Sequence, residues 1–108
     1  MNNDYGISQL SFQLILDAFK QFQEIEKVIL FGSRAMGNYK TGSDIDLAIY
    51  GKLVNLKTTT KLSDLLNKEL PIPYYIDIIQ HSQISLESFR EHIGSKGKII
   101  YSQRNITA

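Results

Sequence analysis

The segment that decides how this chain folds is residues 32–49, which read GSRAMGNYKTGSDIDLAI. It begins with a Gly-Ser pair after the apolar run KVILF (residues 27–31), and it ends in an apolar run that contains Asp44 and Asp46. Side chains alternate across a β-strand, so these two carboxylates point to one face, about 7 Å apart. The pattern therefore predicts two strands joined by a loop, with a pair of acidic groups on the second strand.

Two carboxylates inside an apolar strand need a positive partner, because an unpaired charge is costly to bury. Mg²⁺ suits oxygen ligands, and two such ions about 3.5–4 Å apart can hold the attacking and leaving oxygens of a phosphoryl transfer. A third carboxylate, Asp77, lies in a second apolar run, YIDII (residues 75–79). If the two strands are neighbours, Asp77 joins the site as a metal ligand or as the acceptor of the proton from the attacking hydroxyl.

The Gly-Ser pair predicts a binding site for the phosphates of a nucleotide. Gly32 lets the backbone approach a ligand closely, and a helix that begins near Ser33 presents free N–H groups to an anion. An ordinary N-cap role for Ser33 is the alternative. Arg34, in preference to Lys40, is predicted to neutralise triphosphate charge, with a solvated surface position as the alternative for both side chains.

These residues resemble the signature of the nucleotidyltransferases of the DNA polymerase beta superfamily. That signature is Gly-Ser, ten residues, Asp-x-Asp and a third Asp on a later strand, and Gly32-Ser33, Asp44-Ile45-Asp46 and Asp77 match it. The longer pattern FGSRAxG followed by SDIDLA is similar to the minimal nucleotidyltransferase (MNT) group. Members of that group are commonly encoded as antitoxins beside a HEPN-domain ribonuclease toxin.

The resemblance implies an α+β fold in which helices flank a small mixed sheet, in the order α-β-α-β-α-β-α. It implies that Gly32 and Ser33 hold the triphosphate of ATP and that Asp44, Asp46 and Asp77 bind two Mg²⁺ ions. The implied activity is transfer of AMP from ATP to a hydroxyl, typically of tyrosine, on a HEPN toxin, for which the chain acts as antitoxin. Two alternatives stay open: an antitoxin that acts by contact alone, and a nucleotidyltransferase for a small molecule.

Length and composition predict a single domain over residues 1–108. The chain is 43% hydrophobic and 21% charged, has a formal charge of +1 and contains no cysteine. Disulfides and thiolate chemistry are excluded, and the weak charge argues against a long nucleic-acid partner. No signal peptide and no membrane-spanning run is apparent, which predicts a cytoplasmic protein without a membrane partner.

Hydrophobic periodicity predicts the helices and strands. The helices are expected over residues 7–22, 33–37, 58–69 and 85–92, and the strands over residues 26–31, 44–50 and 74–79, with an edge strand over residues 98–101. Ser8 and Ser85 are predicted helix caps, and Gly94 is predicted to lie near the end of the last helix. Leu86, Phe89 and Ile93 have the spacing of a buried helix face. The alternative is that so small a domain, with an open active-site face, leaves some of them for a second protein. The pattern does not distinguish parallel from antiparallel pairing.

Overall fold

The framework is a four-stranded mixed sheet, seen in a computed structural model that describes residues 3–103. The strands are β1 (Lys27–Phe31), β2 (Ile45–Tyr50), β3 (Ile76–Gln80) and β4 (Lys98–Ser102). Their order across the sheet is β3-β2-β1-β4. Strand β1 is antiparallel to β2 and β4, whereas β2 and β3 run parallel. The α+β class, the mixed pairing and the edge strand at residues 98–101 are thus confirmed.

Four α-helices flank the sheet: α1 (Gln9–Phe19), α2 (Ser33–Met36), α3 (Leu56–Asp64) and α4 (Glu87–Lys96). Helix α3 continues into a π-helical turn (Leu65–Glu69), and a 3₁₀ turn (His81–Gln83) follows β3. Ser8 caps α1 as predicted, since its hydroxyl accepts a hydrogen bond from the Ser11 N–H at 3.2 Å. No helix within residues 3–103 is long and apolar enough to cross a membrane.

The C-terminal helix differs from its prediction at both ends. The N-cap position is Leu86 and not Ser85, and no side chain caps this helix. Gly94 lies inside α4, which ends at Lys96 and has Gly97 as its C-cap. A Cβ atom at Gly97 would clash with Ile29 and with the carbonyl of Ile93. The predicted buried face is wrong at its first position, because Leu86 is 65% exposed while Ile93 is fully buried.

The sheet has a core on each face. On one face, α1, α3 and the π-helical turn contribute Ile15, Phe19, Leu62 and Leu66 to the larger core, together with Leu30 and Leu47 of the sheet. On the other face, α4 packs its Ile93, with Phe89 beside it, against a smaller cluster formed by Ile29, Phe31 and Ala48. Asp46 alternates with Leu47 and therefore belongs to this second face, where helix cover is less extensive.

Candidate active site

Asp46 and Asp77 lie side by side on adjacent strands. They are direct partners in the parallel pairing of β2 and β3, so both side chains project from the same face of the sheet. The ladder extends one step beyond the strands, since the N–H of Ile45 donates to the carbonyl of Tyr75 at 2.9 Å. Asp44 directly precedes β2 and lies close enough to Asp46 for its negative charge to raise the pKa of that carboxyl. Two of the three predicted aspartates therefore lie on neighbouring strands, and the third lies directly before one of them.

The acidic end of this face is accessible. Asp44 and Asp77 are exposed and Asp46 is half-buried, whereas Ala48, two residues further along β2, is fully buried in the cluster beneath α4. Phe31 is the partner of Asp46 on β1 and closes the other side of that carboxylate. The fold thus places the aspartates at the rim of a small apolar core, where a ligand can reach them.

The three carboxylates repel one another. The pKa of Asp46 is raised above its ordinary value, first by burial and then by the negative charges of Asp77 and Asp44. Within residues 3–103 the two ion pairs are Lys20 with Asp17 and Lys68 with Asp64, so none of the three carboxylates has a cationic side chain as partner. The site holds an excess of negative charge that a cation would neutralise.

The donor set fits Mg²⁺ in its chemistry, because it consists of carboxylate oxygens at an accessible position. It is not a closed cage: among residues 3–103, no three Asp, Glu, His or Cys side chains are arranged as a ready set of metal ligands. Adjacent carboxylates without a cation between them are kept apart by their charges. The sheet thus places the aspartates next to one another, but their carboxylate oxygens do not converge on a single metal position in the described residues.

The Gly-Ser pair forms the turn from β1 into α2. Gly32 has φ +78° and occupies the N-cap position without a side-chain cap, and its carbonyl accepts hydrogen bonds from the N–H groups of Ala35 and Met36. Ser33 is the first helical residue, so the alternative interpretation of Ser33 as an N-cap is wrong. Its hydroxyl forms no hydrogen bond in the part of the chain described, and the first N–H groups of a helix lack intrahelical partners.

Gly32 also lies against the acidic site. A Cβ atom at this position would collide with the Oδ2 atom of Asp46. The absence of a side chain is therefore required twice, by the left-handed backbone and by the neighbouring carboxylate. The phosphate-binding turn predicted from sequence and the predicted metal-binding strand meet at this contact.

The side chain of Arg34 does not serve the nucleotide role predicted for it. Only 2% of Arg34 is exposed, and its guanidinium donates four hydrogen bonds to backbone carbonyls. These carbonyls belong to Tyr5, Gly6 and Ser43. A side chain that is buried and bonded in this way has almost no donor left for a triphosphate, so we correct that prediction.

Asn67 supports the site and was missed in the sequence. Its amide donates to the carbonyl of Ile76 at 2.9 Å and accepts from the N–H of Ile76 at 2.8 Å, so it pairs with the outer edge of β3 as another strand would. Ile76 directly precedes Asp77. Asn67 lies in the π-helical turn, a helix type that often occurs at functional sites. An asparagine inside a helical pattern gives no sequence signal for such a contact.

Comparison with known proteins agrees with this geometry. The family profile described as polymerase beta, nucleotidyltransferase matches residues 13–106. No curated protein sequence matches the chain. Among solved structures, a toxin-antitoxin crystallised with AMP-PNP is similar with a TM-score of 0.70 at 19% identity, over 86% of this chain and 74% of that one.

Two further structures are similar. A tri-AMPylated Shewanella oneidensis HEPN toxin in complex with MNT antitoxin gives a TM-score of 0.65 at 19% identity, over 87% of this chain and 71% of that one. A candidate nucleotidyltransferase from Sulfolobus solfataricus gives 0.57 at 22% identity, over 90% and 81% of the two chains. At these identities the likeness shows a common fold.

Proposed function

The chain belongs to the polymerase beta nucleotidyltransferase family, and from this membership we propose that it transfers AMP from ATP to a hydroxyl group of a protein. The observation that carries the proposal is the meeting of Asp46 with Asp77 on one side and with Gly32 on the other. That arrangement places carboxylate oxygens, which can bind Mg²⁺, beside a turn whose N–H groups can bind phosphates. Binding and reaction of a charged triphosphate require both features.

In the proposed reaction, the acceptor oxygen attacks the α-phosphorus of ATP and the bond from that phosphorus to the bridging oxygen breaks. Pyrophosphate leaves, and the proton of the acceptor hydroxyl passes to Asp77. This carboxylate lies on β3 and is exposed. Gly32 and Ser33 hold the phosphates through their backbone N–H groups and the hydroxyl of Ser33. Mg²⁺, held by Asp44, Asp46 and Asp77, would neutralise the phosphate charge and lower the pKa of the acceptor hydroxyl.

We propose a HEPN-domain toxin as the acceptor, and a tyrosine hydroxyl as the group modified. Support comes from two of the similar structures, which are a tri-AMPylated HEPN toxin in complex with MNT antitoxin and a toxin-antitoxin with AMP-PNP. The formal charge of +1 supports a protein acceptor over a long nucleic acid. The reaction would take place in the cytoplasm, where ATP and such a toxin are found together.

The direct test is transfer of label from [α-³²P]ATP to the purified HEPN partner in the presence of Mg²⁺. We expect labelled partner with the wild-type chain and none with Asp46→Asn. The matched control is Asp17→Asn, the same substitution at an exposed position on α1, which should label the partner at the wild-type rate. Absence of label on the partner with the folded wild-type chain would refute protein AMPylation, and label on a small hydroxylated molecule would support the small-molecule alternative.

A contact-only antitoxin remains the second candidate, because one of the similar structures holds an MNT antitoxin in a complex with a HEPN toxin. A contact-only antitoxin would still bind and silence the toxin when it carries Asp46→Asn. The AMPylation proposal predicts that this variant still forms the complex and yet fails to protect cells that express the toxin.

A further inference from the structure

The buried Arg34 connects every segment that builds the acidic site, although its side chain does not face it. It follows Ser33 in α2, its Nε and Nη2 atoms donate to the Ser43 carbonyl at 3.0 and 2.8 Å, and Ser43 directly precedes Asp44. Its Nη1 atom reaches the N-terminal segment, donating to the carbonyls of Tyr5 at 2.9 Å and Gly6 at 3.1 Å. One side chain therefore ties the phosphate-binding turn to the residue before the first aspartate.

Two aromatic rings hold the guanidinium in place. The Cζ atom of Arg34 lies 5.1 Å from the ring centre of Tyr39 and 4.9 Å from that of Tyr74. Tyr39 belongs to the loop between α2 and β2, and Tyr74 lies three residues before Asp77. Tyr74 is itself anchored, since its hydroxyl accepts a hydrogen bond from the N–H of Ser8 at 3.3 Å. The guanidinium thus also contacts the segment that leads into β3.

The loop that carries Asp44 depends on this anchor. It has two hydrogen bonds of its own at Ser43, whose N–H donates to the Lys40 carbonyl at 3.0 Å and whose hydroxyl accepts from the Lys40 N–H at 2.8 Å. The Nε and Nη2 atoms of Arg34, which both donate to the Ser43 carbonyl, attach this turn to the rest of the protein at Ser43. Lysine cannot replace arginine here, because an ammonium group lacks the planar geometry that donates twice to one carbonyl and stacks on aromatic rings.

We propose that Arg34 is a positioning residue: it fixes Ser43, and through Ser43 the backbone of Asp44, against the Gly32-Ser33 turn. Its task is to set the distance between the acidic oxygens and the bound phosphates before substrate arrives. The catalytic consequence rests on the proposed AMP transfer, whereas the structural consequence for Ser43 and Asp44 does not. A displacement near 1 Å at such a site is enough to lower turnover by about 100-fold.

The experiment compares Arg34→Lys with Arg90→Lys, the same change at an exposed arginine on α4. With the partner toxin as acceptor, we expect Arg34→Lys to lower kcat by about 10- to 100-fold while the KM for ATP changes by less than about threefold. Arg90→Lys should leave both constants at the wild-type values. A wild-type kcat in folded Arg34→Lys would overturn the proposal.

A second measurement needs no activity and separates this proposal from the proposed function. Amide hydrogen exchange, followed by NMR without nucleotide, reports on the N–H groups of Ser43 and Ile45, which donate to the carbonyls of Lys40 and Tyr75. We expect faster exchange at these two amides in Arg34→Lys and unchanged exchange in β1, a strand that carries no acidic site residue. Faster exchange at all amides would show a general structural role, and unchanged exchange at Ser43 and Ile45 would show that Arg34 does not hold the loop. Either result would refute positioning.

If Arg34→Lys shows no cooperative unfolding transition, and is therefore not folded, the variant Tyr39→Leu tests the positioning role instead. This substitution removes the Tyr39 ring, which lies beside the guanidinium and against Gly6, and keeps every N–H donor of Arg34. We expect the same selective exchange at Ser43 and Ile45 to a smaller extent. A folded Tyr39→Leu chain with wild-type exchange at both amides would overturn the proposal.

Discussion

Gly32 and Asp46 lie so close together that no side chain fits between them. Phe31 is the partner of Asp46 in the antiparallel pairing of β1 and β2, and the next residue, Gly32, turns the backbone with φ +78° toward the Oδ2 atom of Asp46. The predicted phosphate-binding turn therefore lies against the half-buried aspartate, with no room for a side chain at Gly32. This contact yields a sharp test of the site.

Gly32→Ala should abolish most of the proposed transfer activity, because the new methyl group must displace the Asp46 carboxylate. The matched control is Gly37→Ala, where φ is also positive at +86° and no atom lies within 4 Å of an added Cβ. Gly37→Ala should lose about 1–2 kcal/mol of stability from its left-handed backbone, and Gly32→Ala at least as much, because φ +78° with ψ −158° is a backbone region that only glycine adopts readily. Only Gly32→Ala should lose label transfer, and equal activities in the two folded variants would contradict the assignment.

Asp46→Asn should stabilise the metal-free protein at neutral pH. Burial and the charges of Asp77 and Asp44 raise the pKa of Asp46, so its ionised form opposes folding. Allowing for solvent screening, we expect a gain of roughly 0.5 kcal/mol, seen as a higher Tm in EDTA.

The pH dependence of that gain follows from the sign of the shift. The raised pKa of Asp46 contributes stability below the unfolded value of about 3.9, and this contribution is lost as pH rises through the folded pKa. The Tm difference between Asp46→Asn and wild type should therefore vanish near pH 3 and grow toward neutrality. Asp17→Asn, at an exposed site, should show no such gain, and a lower Tm for Asp46→Asn in EDTA would contradict the electrostatic account.

Asn67→Ala should destabilise the chain by about 1–3 kcal/mol, because it removes both hydrogen bonds to Ile76 and leaves that backbone edge unpaired. Urea unfolding measures the change. Asn38→Ala, at an exposed loop position, is the control and should stay within about 0.5 kcal/mol of wild type. Equal midpoints for the two variants would show that Asn67 does not hold β3.

His81 should titrate below its ordinary value of about 6.5. Burial lowers the pKa of His81 first, followed by the charges of Arg90 and Lys27, and its ring stacks on Tyr50 at 4.0 Å. The neutral ring is therefore favoured in the folded state, so its contribution to stability is present above pH 6.5 and is lost as pH falls through the folded pKa. Titration by NMR measures the midpoint.

Arg90→Gln should raise that midpoint without restoring the ordinary value, because burial is the larger cause. Lys20→Gln, at an exposed position on the end of α1, should leave it unchanged. A wild-type midpoint at or above 6.5 would contradict the arrangement around Tyr50.

Much of the fold could be predicted because turn residues, helix caps and the hydrophobic pattern all indicate the same helices and strands. The apolar runs that became β1, β2 and β3 are continuous and bounded by turn residues, and Ser8 has the hydroxyl that a helix start needs. The end of α4 could not be predicted, because Gly94 and Gly97 both suit a helix end. Only the packing of Gly97 against Ile29 selects the second.

The aspartates themselves were found from their spacing, but two neighbouring roles were not. In the sequence, Arg34 is a positively charged residue next to a predicted phosphate-binding turn. Only the fold shows that its guanidinium is bonded to the carbonyls of Tyr5, Gly6 and Ser43. Asn67 carries no pattern at all. Hydrogen bonds between residues 9 to 29 positions apart leave no periodic trace in a sequence, because periodicity reports only which face of an element is buried.

The sequence by itself determined the strands, the Gly-Ser turn and the presence of three aspartates in apolar surroundings, since these follow from hydrophobic periodicity and from the conformational freedom of glycine. Tertiary structure alone decided that Asp46 faces Asp77 and touches Gly32, and that Arg34 is buried. Strand register and the placement of a buried charge depend on packing between distant segments. The free energy that favours one register, or one position for a buried charge, is gained only when the side chains pack into the two cores on the faces of the sheet.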